Sequence, residues 1–129
     1  MWPHDNSIIA AGLARYGLRA EANRIASAML AAAGYTDFRL PEVFAGYSRD
    51  EAPFPVRYPT ASSPQAWATG APFLWFRLAL GLKPKAGELV IDPLVPEDLD
   101  RVGLNGVHGA GSRWELWAKG TEGEITRMS

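Results

Sequence analysis

The 129-residue chain has the length of one domain, with 13 basic and 14 acidic side chains and a formal net charge of −1. A nearly neutral chain lacks the positive charge with which proteins bind phosphate backbones or anionic membranes, so neither nucleic acid nor a membrane is an expected partner. Cysteine is absent, which excludes disulfides, thiolate metal sites and cysteine nucleophiles, and the expected location is a reducing cytoplasm. No leader peptide is visible at residues 1–6, and the most apolar window, residues 71–82, is too short to cross a bilayer.

The first quarter of the sequence predicts two helices with a very short connection. Asp5 or Asn6 is expected to cap a helix that ends near Gly17, because short polar side chains satisfy the free amides at a helix start. Apolar residues then recur at helical spacing over residues 19–33, and Gly34 follows as a typical stop. So short a connection favours an antiparallel helical hairpin.

Residues 35–63 contain four prolines and six aromatic residues and are predicted to form a long ordered loop. Proline interrupts helices and sheets, so no long regular element is expected here. Loops of this length inside compact domains are usually either functional or disordered. The aromatic side chains favour order because they supply apolar anchors, and we interpret the segment as a binding loop.

A third helix is predicted after the loop. Ser63 is its expected cap and Pro64 its first residue, and the helix should reach about Leu80 with a kink at the interior Pro72. If consecutive helices are antiparallel, the first and the third begin at the same end of the molecule. Three stretches rich in aromatic and polar side chains are then expected to converge at that end: residues 2–6, 40–44 and 64–67.

The rest of the chain is predicted to form a small β appendage. Short strands separated by glycine and proline are expected at residues 88–91, 101–104 and 113–118. The tail, residues 120–129, has little to bury and is expected to fray. The predicted organisation is therefore a helical segment at residues 1–83, with its loop at 35–63, followed by the β appendage at 84–119 and the tail.

The converging stretches have the chemistry of a sugar-binding surface. Aromatic rings stack on the apolar faces of sugars, amides and carboxylates bind the hydroxyls, and carboxylates also catalyse cleavage of glycosidic bonds. Structural interpretations are open beside this one: Asp5 as a helix cap and Trp67 as a core residue. His4 has no partner motif for a metal, so no metal site is expected. Glu42 follows a proline inside the aromatic loop and is neither a cap nor part of a solvated helix face.

Three motifs in this order resemble the C-terminal part of bacterial amylo-α-1,6-glucosidases, the glycogen-debranching type of glycoside hydrolase. They are WPHDNSIIAAGL at residues 2–13, LPEVFAGY at residues 40–47 and PQAWA at residues 64–68. The stretch LVIDPLVP at residues 89–96 is similar to the strand region after the family's last helix. The resemblance extends over residues 2–117. It implies a mostly α fold, the C-terminal portion of an (α/α)6 toroid with about three helices, followed by a small antiparallel β appendage.

The same resemblance implies inverting hydrolysis of α-glucosidic linkages by two carboxylic acids, without a cofactor. Glu42 matches the family's general base, which activates water. The positions that line the sugar site are matched by Trp2, His4, Asp5, Gln65 and Trp67. The family's general acid comes from a segment that precedes the residues present here, so we expect a fragment that binds an oligosaccharide or glucan but is inactive alone. An upstream chain that completes the barrel is a further expected partner. The alternative is a non-catalytic module, left from such an enzyme, that binds carbohydrate or pairs with another chain.

Overall fold

The computed structural model describes residues 1–128 and divides into two compact units, Met1–Trp75 and the residues from Phe76 onward. Helix accounts for 34% and strand for 24% of the structure, and the strands form two antiparallel sheets. The predicted fold, a mostly α portion of an (α/α)6 toroid, is therefore wrong. The fold is a small mixture of α and β structure, because the second half of the chain pairs into more and longer strands than its sequence indicates.

The helices are α1 (Pro3–Arg15), α2 (Arg19–Gly34), α3 (Ala66–Thr69) and α4 (Ala71–Leu80). α1 begins with proline at its first position, where the missing N–H costs nothing, and Trp2 is the N-cap residue without a side-chain capping bond. Capping by Asp5 or Asn6 is thus wrong. Asp5 lies inside the first turn, where its negative charge faces the positive end of the helix dipole.

The core of the first unit forms along one stripe of α2. Its buried members are Ala26, Met29, Ala32, Ala33, Leu40, Phe44, Ala68, Ala71 and Trp75. Leu40 and Phe44 come from the proline-rich loop, which is ordered because these side chains anchor it on the helix. Phe44 also pairs with Arg57 in an isolated antiparallel bridge. The loop is thereby closed on itself as well as packed onto α2.

The predicted third helix begins later than expected and is divided in two. α3 starts at Ala66 rather than at Pro64, after a cis peptide bond between Ser63 and Pro64. Gly70 separates it from α4, and the Gly70 amide donates to the Trp67 carbonyl at 3.2 Å in a tight terminal turn. Pro72 is then the second residue of a new helix, where its missing N–H is tolerated, instead of a kink within a continuous one.

The second unit contains a short hairpin and a three-stranded meander. The strands are β1 (Lys83–Lys85), β2 (Glu88–Val90), β3 (Val102–Gly109), β4 (Ser112–Lys119) and β5 (Glu122–Met128). β1 pairs with β2, and the meander has the order β3-β4-β5. Along β4 the side chains alternate, so that Trp114, Leu116 and Ala118 are buried and the residues between them are more exposed.

The predicted fraying of residues 120–129 is wrong as far as Met128, and Ser129 lies outside the described residues. β5 occupies most of this tail and pairs with β4 in continuous register, with Ile125 opposite Leu116. The reason is that the ladder with β4 supplies hydrogen-bonding partners for alternate residues of β5, which compensates for the few apolar side chains. Within residues 1–128 no helix has both the length and the apolar character that a bilayer crossing requires.

Candidate functional site

Backbone hydrogen bonds bring the three predicted stretches of the first unit together. The Phe44 amide donates to the Met1 carbonyl at 2.9 Å, next to Trp2. Four residues earlier, the Leu40 carbonyl accepts from the Gln65 amide at 3.3 Å. The extended segment 40–44 is therefore held at one end by the residues before α1 and at the other by the residue before α3. The start of α1 and the start of α3 both adjoin the segment that carries Glu42.

Glu42 is fastened to the far side of the loop by two bonds to one residue. Its amide donates to the Ser62 carbonyl at 2.8 Å, and its Oε2 accepts from the Ser62 amide at 3.2 Å. The side chain is half-buried. Because backbone and carboxylate are both engaged by Ser62, the carboxylate has a fixed direction instead of sampling solvent freely.

Three aromatic side chains form a cluster, which we call the aromatic shelf: Trp2, His4 and Trp67. The His4 ring stacks on Trp67 with centroids 4.8 Å apart and 23° between planes, and it meets Trp2 edge-on at 5.4 Å. His4 is only 5% exposed, whereas Trp67 is 66% and Trp2 is 43% exposed. Trp67 is thus not a core residue. The buried histidine supports two large aromatic surfaces that face solvent.

Polar atoms surround the shelf. Asp5 Oδ1 lies 3.7 Å from His4 Nε2, and the Ser7 hydroxyl donates to the His4 carbonyl at 2.7 Å, which secures the first turn of α1. His4 Nδ1 and Gln65 Oε1 are both buried without a hydrogen-bond partner in the described chain. Buried polar atoms are normally satisfied, so a polar partner for His4 Nδ1 would stabilise the shelf.

The predicted site residues thus fall into two groups. The first group is Asp5 with the shelf, and the second is Glu42 with Ser62. Gln65 connects the two groups, because its backbone amide donates a hydrogen bond to the Leu40 carbonyl. No hydrogen bond or ion pair links the Glu42 carboxylate to Asp5 within residues 1–128. An inverting hydrolase needs two carboxyl groups about 6.5–9.5 Å apart, with water between base and sugar. The structure shows a stacking surface and, beside it in the chain's own pairing, one carboxylate that Ser62 holds in place.

Sequence reasoning missed the partners that build this arrangement. Ser62 acts through its backbone and the Met1–Phe44 pairing uses main-chain atoms, so no side-chain pattern could have revealed either. It also missed the burial of His4, which only the stacking of Trp67 from a distant segment produces. The available signal is the antiparallel order of the predicted helices, which places the three stretches at a common end.

No match is found when the chain is compared with models of protein families and with curated proteins. Among residues 1–128 no three His, Asp or Glu side chains are grouped so that they could hold a metal ion. The features of the first unit that bear on function are the shelf, Glu42 and the motifs that these residues belong to.

Proposed function

We propose that the first unit carries the sugar-binding side of a glycoside hydrolase of the amylo-α-1,6-glucosidase type, with Glu42 as the general base. The observation that carries this proposal is the aromatic shelf, where two solvent-facing tryptophans are supported by a buried histidine beside the segment of Glu42. A pyranose ring has apolar C–H faces, and an open indole face is the surface on which such a ring stacks. The proposed substrates are oligosaccharides with α-glucosidic linkages.

In the proposed mechanism a sugar ring stacks on Trp67 or Trp2, and Glu42 takes a proton from a water molecule. That water attacks the anomeric carbon from the face opposite the leaving group, and the configuration inverts. A second carboxyl group must protonate the departing oxygen, and the motif resemblance assigns it to a segment that precedes the residues present here. The 129 residues alone should therefore bind oligosaccharides without cleaving them. A reducing cytoplasm suits this activity and a chain without cysteine.

A non-catalytic carbohydrate-binding module is the second candidate. The observation in its favour is that the aromatic shelf is complete within the first unit, whereas Glu42 Oε2 is occupied by the Ser62 amide. In this case the stacking surface binds glucan, and Glu42 serves only to fasten the loop. Both candidates require Trp67 to contact sugar, and they differ in the role of the Glu42 carboxylate.

Isothermal titration with maltose and isomaltose tests the contact that both candidates share. Replacing Trp67 by alanine removes the larger open face, and we expect affinity to fall at least about fivefold, since an aromatic contact contributes about 1 kcal/mol beyond its buried area. Phe73→Ala is the matched control, because Phe73 is an exposed aromatic residue of the same unit outside the shelf. If neither maltose nor isomaltose bound, or if Trp67→Ala and Phe73→Ala lost the same affinity, the proposal would be refuted.

α-Glucosyl fluoride separates the two candidates. Fluoride leaves without being protonated, so a site with a base and no acid can hydrolyse this compound: water attacks carbon, the C–F bond breaks and Glu42 takes the proton. We expect fluoride release, measured with an ion-selective electrode, that Glu42→Gln abolishes while isomaltose binding is retained. Binding without fluoride release would favour the non-catalytic module, and release that persists in Glu42→Gln would remove Glu42 from the mechanism.

A further inference from the structure

The first unit contains a cavity that involves neither the shelf nor Glu42. Its volume is about 360 Å³, and it lies between α2 and the loop segment that follows Phe44. From α2 the cavity is lined by three alanines, Ala28, Ala31 and Ala32, and by Met29. Large rings line it as well: Tyr35 directly after α2, and Tyr47 and Phe54 from the loop, all more than half exposed. A largely apolar cavity lined by aromatic rings suits a flat apolar body.

The loop wall of this cavity is closed by main-chain bonds. The Ala45 amide donates to the Val56 carbonyl at 2.9 Å, next to the bridge between Phe44 and Arg57. Main-chain pairing therefore joins the two ends of segment 45–56. At the tip, the Ser48 carbonyl accepts from the Ala52 amide at 3.0 Å. A compact loop whose ends are joined holds its side chains in place, and such loops are frequently functional. The cavity is therefore preformed on both sides.

One guanidinium lines this largely apolar cavity, that of Arg49; the ammonium of Met1, another lining residue, is engaged by the Phe44 carbonyl. Arg49 makes no ion pair or hydrogen bond with any other residue of the described chain. The carboxylate of Glu51, two residues after Arg49, is engaged elsewhere: its Oε2 accepts bonds of 2.8 Å from both the amide and the hydroxyl of Ser48, which lowers the pKa of Glu51. Asp50 is exposed and is not among the lining residues. The guanidinium is thus available to an external anion.

We propose that this cavity binds an organic carboxylate with a flat apolar body, the rings of Tyr35, Tyr47 and Phe54 enclosing the body and Arg49 binding the carboxylate. Arginine suits this role because its planar guanidinium can donate two parallel hydrogen bonds to the two oxygens. One carboxylate matches the one guanidinium of this largely apolar cavity. The site is separate from the shelf and stands whether or not the proposed hydrolase function is right.

Titration of the ¹⁵N-labelled chain with 2-naphthoate, followed by amide chemical shifts, tests the site. We expect shifts confined to residues 28–35 and 44–56, and the neutral amide of the same shape, 2-naphthamide, should bind about tenfold more weakly, because a charge-assisted hydrogen bond is replaced. Arg49→Gln should weaken the binding of 2-naphthoate by a similar factor and leave the affinity for 2-naphthamide unchanged. Arg39→Gln, an exposed arginine outside the cavity, is the matched control and should change neither affinity.

A second variant tests the cavity itself. Ala31→Leu places a larger side chain among the α2 residues that line the cavity without lowering helix propensity much, and it should weaken both probes. Ala20→Leu, on an exposed position of α2 outside the cavity, should affect neither. Equal affinity for the two probes, shifts spread over the whole chain, or insensitivity to both Arg49→Gln and Ala31→Leu would each overturn the proposal.

Discussion

Phe44→Ala tests whether the proline-rich loop is part of the folded core or only lies against it. Phe44 is 1% exposed and belongs to the buried cluster that α2 and Trp75 share. Its amide bonds to Met1, and its backbone also pairs with Arg57. The side chain thus anchors a segment whose backbone is already paired with Met1 and with Arg57. Because this pairing limits how far the segment can move, truncation of the side chain will leave a cavity.

The expected cost follows from that burial. Truncating a fully buried phenylalanine to alanine destabilises proteins by about 3–5 kcal/mol, which combines the lost transfer free energy with the cavity left behind. The total stability of a small domain is only about 5–15 kcal/mol, so the variant should lose a large fraction of the stability of the first unit. Glu42 lies two residues away in the same extended segment, so sugar affinity should fall with it.

Urea denaturation monitored by near-UV circular dichroism measures the effect, and we expect the midpoint of the first unit to fall by at least about 1 M, given urea slopes of about 1–3 kcal/mol per M. Phe54→Ala is the matched control, since Phe54 is the same residue type in the same loop but 55% exposed. Its loss of stability should stay below about 1 kcal/mol. If Phe44→Ala also lost less than about 1 kcal/mol of stability, the view that this side chain holds the loop in the core would be refuted.

Two further predictions concern the second unit. Gly81 has φ +58°, and an added Cβ would lie 1.9 Å from the Asp92 carbonyl oxygen, so Gly81→Ala should destabilise by more than about 2 kcal/mol in thermal unfolding. Gly87→Ala, also at positive φ but with open space around it, should cost only about 1 kcal/mol, and similar losses in both variants would contradict the proposed clash. The hydrogen bond from Lys119, 2.5 Å from Asp100, lowers the pKa of the Asp100 carboxyl below its ordinary 3.8. Because the pKa of Asp100 is lower in the folded than in the unfolded chain, the bond to Lys119 stabilises the fold above about pH 4, and this stabilisation is lost as the pH falls through the folded-state pKa. Asp100→Asn should remove that part of the acid dependence from unfolding curves measured from pH 6 to pH 2.

Local patterns determined the two helices that open the chain. Residues 19–33 were predicted as a helix with Gly34 as its stop, and α2 extends over Arg19–Gly34, because a stripe of small apolar residues at helical spacing needs only one packing surface. The predicted end of α1, near Gly17, is about two residues late. The predicted side-chain cap is wrong, because proline at the first helical position has no N–H that needs a capping partner. These errors are of the size that local signals leave at helix ends.

The predicted balance of helix and strand failed because strands depend on partners. β5 has few apolar residues, and its sequence alone indicates a frayed tail; it is a strand because β4 presents a free edge of N–H and C=O groups to it. β3 is longer than predicted because a bulge between Asn105 and Val107 lets the ladder continue past Gly106, where a glycine-rich sequence predicts an end. The toroid implied by the motif resemblance fails for the same reason: motifs describe residues near a site, and not the pairing of distant segments.

For the candidate site, the residue pattern predicts which segments carry aromatic and acidic side chains and that these segments meet at one end. The contacts of each side chain there depend on the packing of segments that are distant in the chain. This packing buries His4 under two exposed tryptophans, which requires Trp67 from α3 to stack on a residue of α1. It also fastens Glu42 to Ser62, which contributes only its main-chain amide and carbonyl; because every residue except proline carries both groups, the identity of residue 62 does not reveal this contact.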